Sequence, residues 1–199
     1  MPKKYYAVKK GRETGIFESW DKCRALVQGF SGAVFKGFDT LEEAELFLEK
    51  KSSSFEEVKD LTENYAFVDG SFNIRTHTYG YGGFLIHGDK KEIISGSGDE
   101  PDMAEMRNVA GEIKGCEEAV KKAIELGLNE LTVFYDYSGI ECWATGLWKT
   151  NKKGTKEYKE FFDQVKDKIR VNFVKVKGHS GIPGNEEADK LAKEAAGII

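Results

Sequence analysis

Four acids stand where a folding core would not place them. Asp69 follows Phe67-Val68 and precedes Gly70-Ser71, at the expected end of a central strand. Asp136 follows the apolar run Val133-Phe134-Tyr135. Glu112 lies between Ala110-Gly111 and Ile113, on or beside the apolar stripe of a long helix, and Asp189 opens the last apolar turn of the C-terminal helix. Each acid taken alone also suits a bland role: Asp69 or Asp136 capping a turn, Glu112 on a solvated helix face, Asp189 paired with a nearby lysine. A converging set is different, because uncompensated buried carboxylates are costly and repel one another, so it implies bound cations or raised pKa values. Hard divalent ions such as Mg2+ take oxygen ligands, and two of them about 4 Å apart can clamp the attacking and leaving oxygens of a phosphodiester displacement.

The elements that must position these acids are legible as two units. The polar, serine-rich stretch 51–63 (Lys51-Ser-Ser-Ser to Glu63) lacks a sustained apolar period and separates them as a flexible linker. Residues 1–50 read as a small α+β unit of order ββαβα. It has strands at Tyr5–Val8, Gly15–Phe17 and Ala33–Phe38, a helix from the N-cap Ser19 to Val27, and a second helix opened by the capping box Thr40-Leu41-Glu42-Glu43. Residues 64–199 read as βββαβαβα, an α/β unit with a mixed five-stranded sheet covered by helices on both faces. Its strands are expected at Tyr65–Asp69, Tyr79–His87, Glu92–Ser95, Leu131–Tyr135 and Val171–Val176. Its helices are expected over Met103–Leu126, Gly139–Trp148, Glu157–Ile169 and Gly184–Ala196.

Composition bounds the function. The 199 residues are 40% hydrophobic and 32% charged, enough for a sizeable core, and no apolar run approaches the roughly 20 residues of a membrane helix. No secretion signal is read at the N-terminus, so a cytoplasmic location is expected. Cys23, Cys116 and Cys142 are odd in number and far apart, which argues against a disulfide framework or a zinc site. The net charge is −4, yet residues 1–36 carry eight Lys/Arg against three acids, and residues 149–180 carry ten against four. Two basic islands in an acidic chain suit either solvated lysine faces or contact with a polyanion.

Several local sequences together resemble a known family. Val68-Asp69-Gly70-Ser71, Arg107-Asn108-Val109-Ala110-Gly111-Glu112, Tyr135-Asp136-Tyr137 and the run Gly178-His179-Ser180-Gly181 through Asn185-Glu186-Glu187-Ala188-Asp189 are similar to type 1 ribonuclease H over essentially all of 64–199. The resemblance implies a metal-dependent endonuclease that cuts the RNA strand of RNA–DNA hybrids by a two-metal-ion mechanism, leaving 5′-phosphate and 3′-hydroxyl ends. It implies Asp69, Glu112, Asp136 and Asp189 as ligands of two Mg2+ ions, with Mn2+ as a substitute, and His179 as a mobile residue assisting turnover. Asn108 and Ser71 would contact substrate, and Asn185 and Glu186 share the last motif. Two departures stand out: Tyr137 follows Asp136 where many relatives have Ser, and the segment from Trp148 to Val171 is too short for the extended basic loop of some relatives.

Residues 1–48 resemble the hybrid-binding domain found ahead of many such nucleases, also called the caulimovirus-type viroplasmin domain. The match rests on Tyr5-Tyr6-Ala7-Val8-Lys9-Lys10-Gly11-Arg12, Thr14-Gly15-Ile16-Phe17, Ser19-Trp20 and Phe35-Lys36-Gly37-Phe38. It implies Tyr6, Trp20, Phe35 and Lys36 as substrate-binding residues, the rings against sugars and the lysine on a phosphate. Gly37 stands where the family has a further lysine. The expected partner is an RNA–DNA hybrid, with double-stranded RNA a second ligand of the N-terminal unit, and no membrane or obligate protein partner is expected. The alternatives are an inert binder of hybrid or double-stranded RNA, and a nuclease of the same fold acting on DNA. His77 and His87 read as solvated or satisfied histidines, and Trp143 and Trp148 as core, or as one ring lining a phosphate channel.

Overall fold

A computed structural model describes residues 4–49, 62–178 and 181–199. The chain divides into two compact units, Met1–Ser52 and Ser53–Ile199; most of the expected linker lies outside the described residues.

In the first unit, β1 (Tyr5–Lys10) is flanked antiparallel by β2 (Gly15–Phe17) and β3 (Val34–Phe38). Because strand side chains alternate, β1 buries Val8 with Cys23 and Val27 of α1 (Trp20–Val27), while Ala7 lies on the other side with α2 (Leu41–Glu49). Half of the expected capping box forms, the Glu43 N–H donating to Thr40 Oγ1 at 3.2 Å, whereas Ser19 makes no side-chain cap. The Arg12 guanidinium donates to the carbonyls of Ala25 and Gln28 at 2.9 and 2.8 Å, so this member of the basic island closes the C-terminal end of α1.

The second unit holds a five-stranded sheet of order β6-β5-β4-β7-β8, from β4 (Asn64–Asn73), β5 (Thr78–His87), β6 (Lys90–Gly98), β7 (Glu130–Tyr135) and β8 (Arg170–Lys175). The first three strands are antiparallel, and β7 and β8 run parallel to β4. Even-numbered residues of β4 (Ala66, Val68) pack with Leu131, Val133 and Tyr135 of β7 under α4 (Asn108–Glu125). Odd-numbered Phe67, with Phe84, Phe134 and Val174, packs on the opposite face with Ala188 of α7 (Pro183–Ala195). Glycines set how closely these helices approach: a Cβ at Gly70 would lie 2.1 Å from the Asn108 carbonyl oxygen, and one at Gly82 would lie 2.1 Å from the Ala192 nitrogen.

Four expectations need correction. Asp69 is not at a strand end, because β4 continues to Asn73 along β5, although its pairing with β7 stops at Phe67–Phe134. The run Met103–Leu126 is not one helix: α3 (Pro101–Ala104) ends, and Arg107 adopts φ +55° before α4 begins. The break lets Met103 and Met106 both bury near Gly154, while Asn108 opens a new helix. The expected helix Gly139–Trp148 stops as α5 (Gly139–Ala144), because Gly146 at φ +72° turns the chain and the Trp148 N–H donates back to the Cys142 carbonyl at 2.9 Å. Helix α6 spans Lys153–Val165, displaced about one turn earlier than expected.

Candidate active site

The register of the central strands assembles the acids. Phe67 and Phe134 form the last parallel pair of β4 and β7, so Asp69 and Asp136, each two residues on, project on the same side just where the strands part. Glu112, in the second turn of α4, reaches the same place from the opposite face, and the close Gly70 contact sets its approach. One carboxylate oxygen from each of Asp69, Glu112 and Asp136 lies within 4.8 Å of the others. Asp69 and Glu112 are buried, at 8% and 3% exposed.

Burial and mutual repulsion dominate the electrostatics. Burial, then the charge of Asp136, pushes the Asp69 carboxyl up to about 7. The Gly70 N–H, donating to Asp69 Oδ1 at 2.7 Å, opposes this, Asp189 adds to it, and Lys193 draws it down. Glu112 is raised well above the ordinary glutamate value by burial, Asp136 and Asp69, with relief from the Asn108 amide and Lys175. Asn108 Nδ2 donates weakly to Glu112 Oε1 at 3.4 Å, while Glu112 Oε2 is buried without a hydrogen-bond partner. A buried acceptor left empty among converging carboxylates is what a hard cation would satisfy, so the oxygen donor set fits Mg2+ or Mn2+.

Asp189 stands apart from that trio. It lies on α7 and its charge acts on Asp69, but its Oδ2 accepts from Lys193 Nζ at 2.7 Å. One turn earlier, Asn185 is buried with its Oδ1 unpartnered. Ser71 is buried on β4 on the same side as Asp69. His179 lies outside the described residues. His77 and His87 are elsewhere: His77 meets Phe72 edge-on at 6.1 Å, and His87 Nε2 sits 3.8 Å from Glu92.

Beside the acids runs a groove of about 410 Å3, lined by Arg107, Asn108, Tyr137, Trp143, Lys149 and Lys152 among others. Tyr137, the departure after Asp136, packs with Trp143 and Trp148 at ring separations of 5.8 and 6.5 Å. Sequence reasoning did not place Arg107, Lys149, Lys175 or Lys193 at the site; only Lys193, four residues after Asp189 on one helix, carried a usable spacing signal. In the first unit, Trp20 is 43% exposed and stands between Tyr6 and Phe35, at 5.5 and 5.9 Å. Lys36 projects from the other side of β3 from Phe35, with its ammonium 5.7 Å from the Phe38 ring.

Residues 62–197 match the family model described as RNase H. The chain belongs to the RNase H family. Residues 4–48 match the model described as the Ribonuclease H1 N-terminal domain. The chain is 28% identical to human Ribonuclease H1, over 96% of this chain and 89% of that protein, and 27% identical to Ribonuclease H of Schizosaccharomyces pombe, over 96% and 97%. Among solved structures it is similar to RNase H1 from Halobacterium salinarum, with a TM-score of 0.53 and 22% identity over 68% of this chain and 98% of that one. The protein is thus a ribonuclease H with the family's N-terminal domain, and the acid cluster lies within the RNase H portion.

Proposed function

We propose that this ribonuclease H cuts the RNA strand of RNA–DNA hybrids with two divalent metal ions, leaving 5′-phosphate and 3′-hydroxyl ends. The observation that carries this reading is the convergence of Asp69, Glu112 and Asp136 within 4.8 Å, with one Glu112 oxygen buried and unpartnered. These three and Asp189 would hold the metal. When bound, Mg2+ supplies water activation and neutralises charge developing on the leaving oxygen.

The chain's own groups do the rest. The Asn108 amide steadies Glu112, and the groove with Arg107, Lys149 and Lys152 offers cations to a phosphate backbone. The Asn108 amide, the Ser71 hydroxyl and backbone groups can read the 2′-hydroxyls that distinguish an RNA strand. His179 is assigned to assisting turnover, in keeping with its motif. The exposed Trp20, flanked by two rings, is suited to sugar or base contact and gives the first unit a role in holding hybrid.

The test offers the full chain labelled RNA–DNA hybrid, double-stranded RNA and double-stranded DNA with Mg2+, and maps the product ends. Cleavage confined to the RNA of the hybrid, with 5′-phosphate ends, is expected. Cleavage of double-stranded DNA, or binding of hybrid without any cleavage, would overturn the proposal in favour of a DNA nuclease or an inert binder.

A further inference from the structure

Three of the four acids converge, and the fourth is engaged by a lysine. Lys193 Nζ lies 2.7 Å from Asp189 Oδ2, and the two side chains are 38% and 24% exposed, so the pair is partly withdrawn from water. The contact is more than a helix-surface pair one turn apart, because the same ammonium also acts on Asp69, the acid shared between Asp189 and the Asp69–Glu112–Asp136 trio. The neighbouring lysine of α7, Lys190, is directed to Glu194, at 3.7 Å.

We propose that Lys193 is a built-in competitor for the divalent cation at Asp189. Resting on the two-metal reading above, this inference divides the site unequally. On the other side Glu112 keeps a buried oxygen without a hydrogen-bond partner, whereas Asp189 must give up a resident monovalent cation before it can ligate. Lysine suits the role, since its ammonium is a compact point charge on a flexible stem that can swing aside without disturbing the helix. In the metal-free chain Lys193 offsets the repulsion between Asp69 and Asp189, and in the loaded chain it sets the weaker of two metal affinities. Lys193 is therefore a positioning residue that acts through Asp189.

The test is calorimetric titration of the full chain with MgCl2 and with MnCl2, without nucleic acid and at low ionic strength, for wild type, Lys193→Met, Lys193→Arg and Asp189→Asn. Methionine keeps an apolar stem of similar length and removes the charge. Two binding phases are expected in the wild type. In Lys193→Met the weaker phase should tighten at least about threefold, the scale of a partly exposed ion pair, while the tighter phase stays within about twofold. Lys193→Arg should behave as wild type, and Asp189→Asn should abolish the weaker phase with or without Lys193→Met. Mg2+ should also raise the melting temperature of Lys193→Met more than that of wild type. An unchanged weaker phase in Lys193→Met, or a tightening that survives Asp189→Asn, overturns the role of Lys193 and leaves the metal reading standing. Absence of any metal binding by the wild type overturns both.

Discussion

Phe67 stacks on Phe134 with ring centroids 4.7 Å apart and planes 16° from parallel, and each ring stands two residues before an acid of the site. The apolar stack closes the core between β4 and β7, and strand alternation then delivers two carboxylates to one side at the spacing of adjacent strands. Like charges brought together this way hold protons tightly until a cation replaces them.

The first prediction is a pH dependence of the metal-free protein. Burial and the charge of Asp136 push the Asp69 carboxyl up to about 7 in the fold, against roughly 3.9 in an unfolded chain. Between those values the folded state holds a proton that the unfolded state lacks, so this contribution to stability is complete below about pH 4 and lost as pH rises through about 7. Glu112, raised in the same direction, adds to the effect. Thermal melts with EDTA should show the melting temperature falling from pH 5 to pH 8, and Asp69→Asn should flatten that fall and raise the value at pH 8. A wild-type profile that rises over this range, or an Asp69→Asn variant less stable at pH 8, contradicts the assignment.

Gly70 supplies a second prediction. An added Cβ would meet backbone atoms, the Asn108 oxygen at 2.1 Å and the Glu112 nitrogen at 2.4 Å, which no rotamer change can relieve. Gly70→Ala should destabilise by about 1–3 kcal/mol through overpacking. It should also shift α4, carrying Glu112 away from Asp69 and lowering kcat by about a hundredfold, the cost of a displacement near 1 Å. Gly115→Ala is the control: on the same helix its nearest neighbours would be 3.5 Å away, so stability should be unchanged or raised by up to about 1 kcal/mol. Equal effects of the two substitutions in melts and rate measurements would refute the packing argument.

The contrast between these glycines shows what the sequence could reveal. The strands around Phe67 and Phe134 announce themselves by apolar, β-rich composition, and an acid just past each was readable as out of place. That Glu112 belongs with them was readable only as a polar residue beside an apolar stripe, since the distance between a helix and a strand 40 residues earlier depends on Gly70 packing. The helix break at Arg107 was not legible, because local propensity through Met103–Leu126 favours one helix and burial of Met103 and Met106 overrides it. The commitment of Asp189 to Lys193 likewise depends on side-chain placement that spacing permits but does not dictate.

For Asp136→Asn, near-total loss of cleavage with hybrid binding retained is expected. The amide keeps the side chain's size but removes the charge that, with Asp69 and Glu112, makes the trio a candidate cation site. Single-turnover rates on labelled hybrid decide it: activity within about tenfold of wild type, roughly 1.4 kcal/mol of barrier, removes Asp136 from the catalytic set. Replacing Mg2+ by Ca2+ should likewise stop the reaction, because Ca2+ tolerates longer and less regular coordination.

The last prediction separates two kinds of grip in the first unit. Trp20, 43% exposed between Tyr6 and Phe35, offers a ring face and no charge, so Trp20→Ala should weaken hybrid binding by about 1–3 kcal/mol without altering its salt dependence. Lys36 offers charge, so Lys36→Ala should flatten the log–log slope of affinity against salt by about 0.7–0.9 if it neutralises one phosphate. Its projection from the opposite side of β3 to Phe35 makes this a demanding test, because one nucleic-acid strand must then span the edge of the sheet to touch both. The chain cut to 62–199 should still cleave hybrid, since Asp69, Glu112, Asp136 and Asp189 all lie within it, but with a higher KM and a flatter slope than the full chain. A truncated chain with unchanged KM and slope would mean that the first unit holds no hybrid, and that the rings around Trp20 serve another partner. An unchanged slope in Lys36→Ala alone would instead move the phosphate contact to another lysine and assign Lys36 to its packing over Phe38.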